Sequence, residues 1–170
     1  MTRTLYLLRH AKSSWSDPAL ADEERPLAPR GRRDTKRVSE HLERLGIAPA
    51  LVLCSSARRA VQTLELLQPA LGPVTPVLIE PELYGATAEE LLGRLRAVPD
   101  DVASVLLIGH NPGLQDLALL LASAGAELSR VEAKFPTSAL ATFSLPKAAW
   151  RQLSQGEAVL DAFVVPKQLH

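Results

Sequence analysis

Short unbroken apolar runs alternate along this chain with longer stretches of helical spacing. Leu5-Tyr6-Leu7-Leu8 and Val105-Leu106-Leu107-Ile108 are such runs, and each reads as a buried strand. The pattern predicts strands over Thr4–Arg9, Ala50–Cys54, Pro76–Glu80, Ser104–Gly109 and Ala139–Ser144, with a sixth over Ala158–Val164. Helices fit Gly31–Leu45, Ala57–Leu71, Ala88–Ala97 and Leu114–Ala124, with a short one over Lys147–Ser154. Val38, Leu42 and Leu45 share one face of the first helix, and Gly46 supplies its stop. Leu117, Leu120 and Leu121 form the stripe of the fourth. Strands alternating with helices predict a mostly parallel sheet with crossover helices packed on it.

The stretch from Lys12 to Arg30 breaks this rhythm. It has little periodicity and three prolines, Pro18, Pro26 and Pro29, which interrupt a helix. A loop of this length inside a compact domain is commonly functional. With Trp15 and Leu27 as apolar anchors, it is expected to be an ordered cover over the strand ends.

Composition narrows the class. With 170 residues the chain is expected to form one domain. Its 19 basic and 19 acidic residues cancel, so charge predicts neither nucleic acid nor an anionic membrane as partner. No apolar stretch approaches the ~20 residues of a membrane span. The opening Met1-Thr2-Arg3-Thr4 lacks a signal peptide's long apolar region. One cysteine excludes an internal disulfide framework and fits a reducing cytoplasm. No patch in the sequence marks a dimer surface, so a monomer is expected.

Chemistry enters at two strand ends. The first run is followed by Arg9-His10-Ala11, and the second by Gly109-His110-Asn111-Pro112-Gly113. Open α/β sheets bind ligands at the carboxyl ends of their strands, and both histidines fall on that edge. Gly109 is expected to allow close approach beside His110, and Pro112 to start a helix where its missing N–H costs nothing. After the second strand comes Ser55-Ser56-Ala57-Arg58-Arg59-Ala60-Val61-Gln62-Thr63. Serine before a helix is a candidate N-cap, and an arginine in the first turn suits phosphate oxygens. Arg9 and Arg59, as neighbouring cations, are expected to lower the pKa of His10. A neutral imidazole has the lone pair that attacks phosphorus, while the arginines bind the phosphate and offset its charge.

In order and spacing these residues resemble the histidine phosphatase, or phosphoglycerate mutase-like, superfamily. The resemblance rests on Arg9-His10-Ala11, Arg25-Pro26-Leu27 followed by Gly31, and Ser55 through Thr63 with its Arg-Ala-x-Gln-Thr core. Glu82-Leu83-Tyr84, the Gly109-His110-Asn111-Pro112 turn and Phe135-Pro136-Thr137-Ser138-Ala139 continue it, so it runs from about Leu5 to about Phe143. Alanine stands where most members have glycine after Arg-His, and Arg-His-Ala-Lys is similar to the compact phosphohistidine phosphatase branch known as SixA. The resemblance implies a three-layer α/β sandwich, with a mostly parallel sheet between helices. It implies His10 as the phosphorylated nucleophile, with Arg9, Arg59 and His110 completing the phosphate pocket and Arg25 adding a contact. Arg59 rather than Arg58 precedes the alanine of the core motif, which leaves Arg58 as a surface or loop-packing residue.

Many members use a glutamate after the third strand as general acid. Glu82 stands at that position, with Glu80 as a substitute, whereas the short branch manages without a dedicated acid. No metal or cofactor is implied. The substrate expected is a phosphohistidine-bearing protein, since nothing in so short a chain forms a large cap over the site. The alternatives are a phosphatase for small phosphate esters and a non-catalytic phosphoprotein-binding module. Cys54 does not start a cysteine-phosphatase loop, because the position that needs arginine there is Ala60. Walker A, Gly-x-Ser-x-Gly and His-Glu-x-x-His motifs are absent. His41 and His170 read as structural or solvated residues.

Overall fold

A computed structural model describes residues 2–146 and 149–169. Seven strands form one sheet in the order β3-β2-β4-β1-β6-β7-β5. These are β1 (Arg3–Arg9), β2 (Leu51–Ser55), β3 (Val77–Glu80), β4 (Ser104–Gly109), β5 (Ala122–Ala124), β6 (Leu140–Leu145) and β7 (Ala158–Val164). Pairs β1–β4, β2–β4, β2–β3 and β5–β7 are parallel, while β6 runs antiparallel to both β1 and β7. The helices are α1 (Pro29–Leu45), α2 (Arg58–Leu71), α3 (Ala88–Arg96), α4 (Gly113–Leu121) and α5 (Leu128–Ala133).

Strand alternation divides the core into two layers. Leu5, Leu7, Leu53, Val105 and Leu107 face one cluster, together with Leu91, Leu95, Leu114 and Leu117 from α3 and α4. Leu8, Val52, Cys54, Leu106 and Ile108 face the other, with Val38 and Leu42 of α1 and Leu64 and Leu67 of α2. The three-layer α/β expectation is met. Cys54 is fully buried in β2, and burial pushes its thiol up to about 12, so it is inert.

Differences from the sequence reading cluster where tertiary pairing outweighs local pattern. The helix expected to run to Ala124 ends at Leu121, and Ala122–Ala124 pairs with β7 as β5. Ser123 fixes this exit by donating from its hydroxyl to the Ala158 carbonyl. Helix α5 was not expected, because its six residues carry too short a pattern to read. Of the short helix expected over Lys147–Ser154, only a 3-10 turn at Trp150–Gln152 forms among the described residues. Lys147 and Ala148 lie outside the described residues, as does His170.

Residues 12–28 are ordered. Ser13 and Leu27 form an isolated antiparallel bridge, and Asp22–Glu24 makes a 3-10 turn. Leu27 anchors the loop as expected, but Trp15 does not, being 70% exposed. Trp15 instead lies flat on Arg25, whose guanidinium carbon is 3.3 Å from the ring centroid. Helix α1 closes the loop at Gly31, where any Cβ would stand 2.2 Å from the Lys12 carbonyl oxygen. Only glycine lets the helix press against the backbone that leaves His10.

Candidate active site

The carboxyl ends of β1, β2 and β4 converge on two imidazoles. His10 follows β1 and His110 follows β4, and their ring centroids are 4.9 Å apart. Parallel register makes this meeting inevitable, since Arg9 pairs with Gly109 and each histidine is the next residue. His10 and His110 are 6% and 9% exposed.

Hydrogen bonds define what each ring can do. His10 Nδ1 lies 2.7 Å from the Ala11 carbonyl oxygen, an acceptor only, so Nδ1 carries the proton and donates it. The lone pair is therefore on Nε2, where Arg59 Nε–H meets it at 3.3 Å. His110 Nε2 lies 2.7 Å from Ser55 Oγ, and that hydroxyl oxygen already accepts the Ala57 amide at 3.2 Å. Ser55 is fully buried, and among the described residues its hydroxyl proton meets no acceptor besides His110 Nε2, so Ser55 donates there and the ring proton of neutral His110 sits on Nδ1. Among the described residues, His110 Nδ1 and Arg9 Nε are buried without a partner. Both are donors left without an acceptor.

Burial is the largest cause lowering the His10 pKa, to about 3, with His110, Arg59 and Arg9 adding to it. The direction matches the sequence reading, but the cations come after desolvation. Burial and then Arg59 lower His110 to about 4. Both rings are therefore neutral at pH 7. Once unfolded they take up protons near pH 6.5, so the unfolded state binds more protons in acid. The stability these neutral rings confer is complete above about pH 6.5 and declines as pH falls toward 4 and 3. At pH 5 each histidine costs about 2 kcal/mol relative to pH 7. Urea unfolding at the two pH values is expected to show this drop, and equal midpoints would mean that the imidazoles are charged in the folded protein.

Arg59 stands in the first turn of α2 and is 7% exposed. Its Nη1 donates to the Asp22 carbonyl at 2.7 Å and its Nη2 to Asp22 Oδ2 at 2.9 Å. Asp22 also accepts from the Tyr84 hydroxyl at 2.6 Å and from Arg25 Nη1 at 2.7 Å. The Tyr84 hydroxyl and Arg59 hold its carboxyl down at about 2. Tyr84 in turn packs its ring edge-on against His110 at 5.3 Å. Arg9 donates from Nη1 to the Phe135 carbonyl at 3.1 Å. The Ser138 amide, from a left-handed backbone at φ 62°, bonds the Arg9 and His10 carbonyls at 3.0 and 3.2 Å.

His10, His110, Arg9 and Arg59 are thus gathered at one strand edge. Arg25 is placed one contact away. Its donors go to Asp22, the Ser14 carbonyl and the Ser13 hydroxyl, so it braces the loop that carries Asp22. Arg58 is exposed and reaches the Glu24 carbonyl at 3.4 Å, a loop-packing position. Glu82 is exposed and makes no hydrogen bond or ion pair among the described residues, while Glu80 forms a two-point pair with Arg94. Ser55 does not cap α2, whose N-cap Ala57 has no side-chain bond. Its hydroxyl holds His110 instead. Nor is Gly109 the glycine that crowding demands, since a Cβ there meets only flexible leucine side chains at 3.3 Å or more. The tight contact falls on Gly113, where a Cβ would lie 2.2 Å from the Ala86 carbonyl oxygen.

Sequence reasoning missed Asp22 and Tyr84, and Thr63 as a brace. Thr63 Oγ1 accepts the Ala11 amide at 3.0 Å and donates to the Arg59 carbonyl at 2.7 Å. Gln62 Oε1 accepts the Leu27 amide at 2.8 Å. The Arg-Ala-x-Gln-Thr spacing carried that signal, because positions one turn apart on α2 face the same loop. Asp22 had no such signal in an aperiodic stretch.

Comparisons with known proteins follow the same lines. The chain is similar to the Mycobacterium tuberculosis protein Rv1276c, at 37% identity over 164 residues covering 94% of this chain and 100% of that one. It is 34% identical to the Arabidopsis thaliana chloroplastic protein At3g52155 over 142 residues, 78% of this chain and 65% of that one. Among solved structures, SixA from Nakamurella multipartitia superposes with a TM-score of 0.80 at 32% identity, covering 98% and 97% of the two chains. The protein histidine phosphatase SixA complexed with tungstate gives 0.79 at 26% identity, covering 97% and 98%. The sequence model of the histidine phosphatase superfamily (branch 1) matches residues 5–104, a span that runs from within β1 to the first residue of β4, holds Arg9, His10 and Arg59, and stops short of His110. With that match spanning more than half of its length, this chain belongs to the histidine phosphatase superfamily, branch 1.

Proposed function

We propose that the chain is a metal-independent phosphatase that removes the phosphoryl group from phosphohistidine on proteins. The observation that carries this reading is the His10 tautomer. Nδ1–H is tied to the Ala11 carbonyl, and the Nε2 lone pair faces the Arg59 guanidinium. In the first step Nε2 attacks phosphorus, a P–N bond forms at His10, and the bond to the substrate's imidazole breaks, that ring leaving neutral with a proton taken from solvent. Arg9 and Arg59 offset charge on the phosphoryl oxygens, and His110 Nδ1–H donates to one of them. In the second step water attacks phosphorus and the P–N bond to His10 breaks, returning the lone pair to Nε2, releasing hydrogen phosphate and giving one proton back to solvent. With two guanidiniums supplying positive charge, no step calls for a metal ion. The protein substrate, the monomeric state and the cytoplasmic setting belong to this same proposal.

A small phosphate ester is the second reading. It is favoured by a cavity of about 240 Å3 beside His110, walled by Thr87, Asn111 and Asp116. The deciding experiment compares kcat/KM for a phosphohistidine protein with a panel of phosphomonoesters, with and without chelator. We expect the phosphohistidine protein to lead and chelator to leave the rates unchanged. A preference for an ester would move the assignment to the second reading, a chelator loss restored by added metal would overturn the metal-free mechanism, and no turnover on any substrate would leave a binding module.

Glu82 tests the leaving-group step. An exposed carboxylate is poorly placed to protonate an ester oxygen, and an imidazole leaving group needs little help. Glu82→Gln is therefore expected to change phenyl phosphate and phosphohistidine hydrolysis by similar small factors. A selective loss on phenyl phosphate of ~100-fold or more, the scale of a lost general acid, would make Glu82 that acid.

A further inference from the structure

A second concavity, of about 520 Å3, lies behind the strand edge that carries His10. Phe163, Val165 and Pro136 give it an apolar lining. Arg30, Arg37, Arg130, Lys134 and Lys167 also line it, with Asp34 the only carboxylate among the lining residues. Asp34 lies 3.5 Å from Arg30 and 3.6 Å from Arg37, and Arg130 pairs with Glu127. Lys134 and Lys167 are exposed and have no ion pair among the described residues. A chain whose 19 basic and 19 acidic residues cancel thus concentrates positive charge around one apolar hollow.

This hollow shares a wall with the active site. Lys134, Pro136 and Thr137 line the cavity, while Phe135 between them points its carbonyl at Arg9 Nη1 and Asn111 Nδ2. The Phe135 ring packs on Phe163 with centroids 5.2 Å apart. The next residue, Ser138, bonds the His10 carbonyl. Residues 134–138 therefore have the cavity on one side and the catalytic strand end on the other.

We infer that this cavity docks an acidic, partly apolar segment of the phosphorylated protein, flanking its phosphohistidine. The inference rests on the protein-phosphohistidine reading of the site. Charge spread over exposed side chains around a rim complements carboxylates spread along a peptide, whereas a small anion is held by donors converging on one point. The apolar lining accepts the segment's hydrophobic side chains, and the cations steer it toward the site and set its register. Because the rim is solvated, salt weakens the attraction.

The test uses two phosphohistidine peptides of equal length, one with Asp and Glu on both flanks and one with Ser and Gly, alongside free phosphohistidine. The wild-type chain is expected to favour the acidic peptide by about tenfold or more in kcat/KM. The double variant Lys134→Glu, Lys167→Glu is expected to lose that advantage while hydrolysing free phosphohistidine at the wild-type rate. Equal rates on the two peptides, or an advantage that survives charge reversal, overturn the docking surface and leave the phosphatase reading intact. Failure to hydrolyse either peptide and free phosphohistidine strikes the phosphatase reading instead. Docking is then decided by fluorescence anisotropy with the unphosphorylated acidic peptide. Binding to wild type and not to the double variant supports it, and binding to neither or equally to both overturns it.

Discussion

His10→Ala is expected to abolish turnover, lowering kcat/KM on phosphohistidine by at least ~10⁴-fold, the scale on which an enzyme loses a covalent nucleophile. No neighbouring group can substitute. His110 Nε2 is committed to Ser55, and its proton on Nδ1 leaves no lone pair there for attack. Wild-type protein quenched during turnover should carry an acid-labile, alkali-stable phosphoryl group, and the variant should carry none. The same substitution has a second readout. Removing an imidazole lowered to about 3 removes its acid penalty, so the stability gap between pH 7 and pH 5 should narrow by about 2 kcal/mol. Substantial residual hydrolysis by a folded His10→Ala protein would sink the assignment of nucleophile.

Arg59→Lys is expected to lower kcat/KM by ~10²–10³-fold although it keeps the charge. Arg59 makes three directed bonds at once, from Nε to His10 Nε2, from Nη1 to the Asp22 carbonyl and from Nη2 to Asp22 Oδ2. An ammonium on a flexible stem cannot reproduce that planar fork. Asp22, itself bonded to Tyr84 and Arg25, holds the outer edge of the guanidinium so that the inner edge faces the nucleophile. A loss smaller than about tenfold would mean that positive charge alone suffices and that the fork geometry is incidental. Steady-state rates on free phosphohistidine, with thermal unfolding to check folding, separate these outcomes.

Much of this site was legible because its spacing is local. Arg9 and His10 adjoin a strand, Arg59 lies in the first turn of α2, and His110 precedes α4. Each signal is a change from apolar to charged within a few residues, which a single sequence displays. The loop residues were not legible. Asp22 reaches Arg59 across 37 positions and Tyr84 across 62, and nothing periodic links them. Trp15 read as a buried anchor because it is large and apolar, but cation–π contact with Arg25 keeps it at the surface. Helix α4 read as longer than it is because Ala122–Ala124 suits a helix locally, and pairing with β7 outweighed propensity there.

Taken alone, the sequence determined β1 to β4, β6, β7 and α1 to α4 in their order, and the delivery of two histidines to strand ends. Those follow from apolar periodicity, which acts over a few residues at a time. Tertiary structure alone decided the rest. It chose which ring nitrogen of His10 holds the lone pair, turned Ser55 from a helix cap into the partner of His110, and brought Asp22 and Tyr84 around Arg59. Such choices depend on hydrogen bonds and burial between segments distant in the chain, and those exist only once the sheet has brought β1, β2 and β4 side by side.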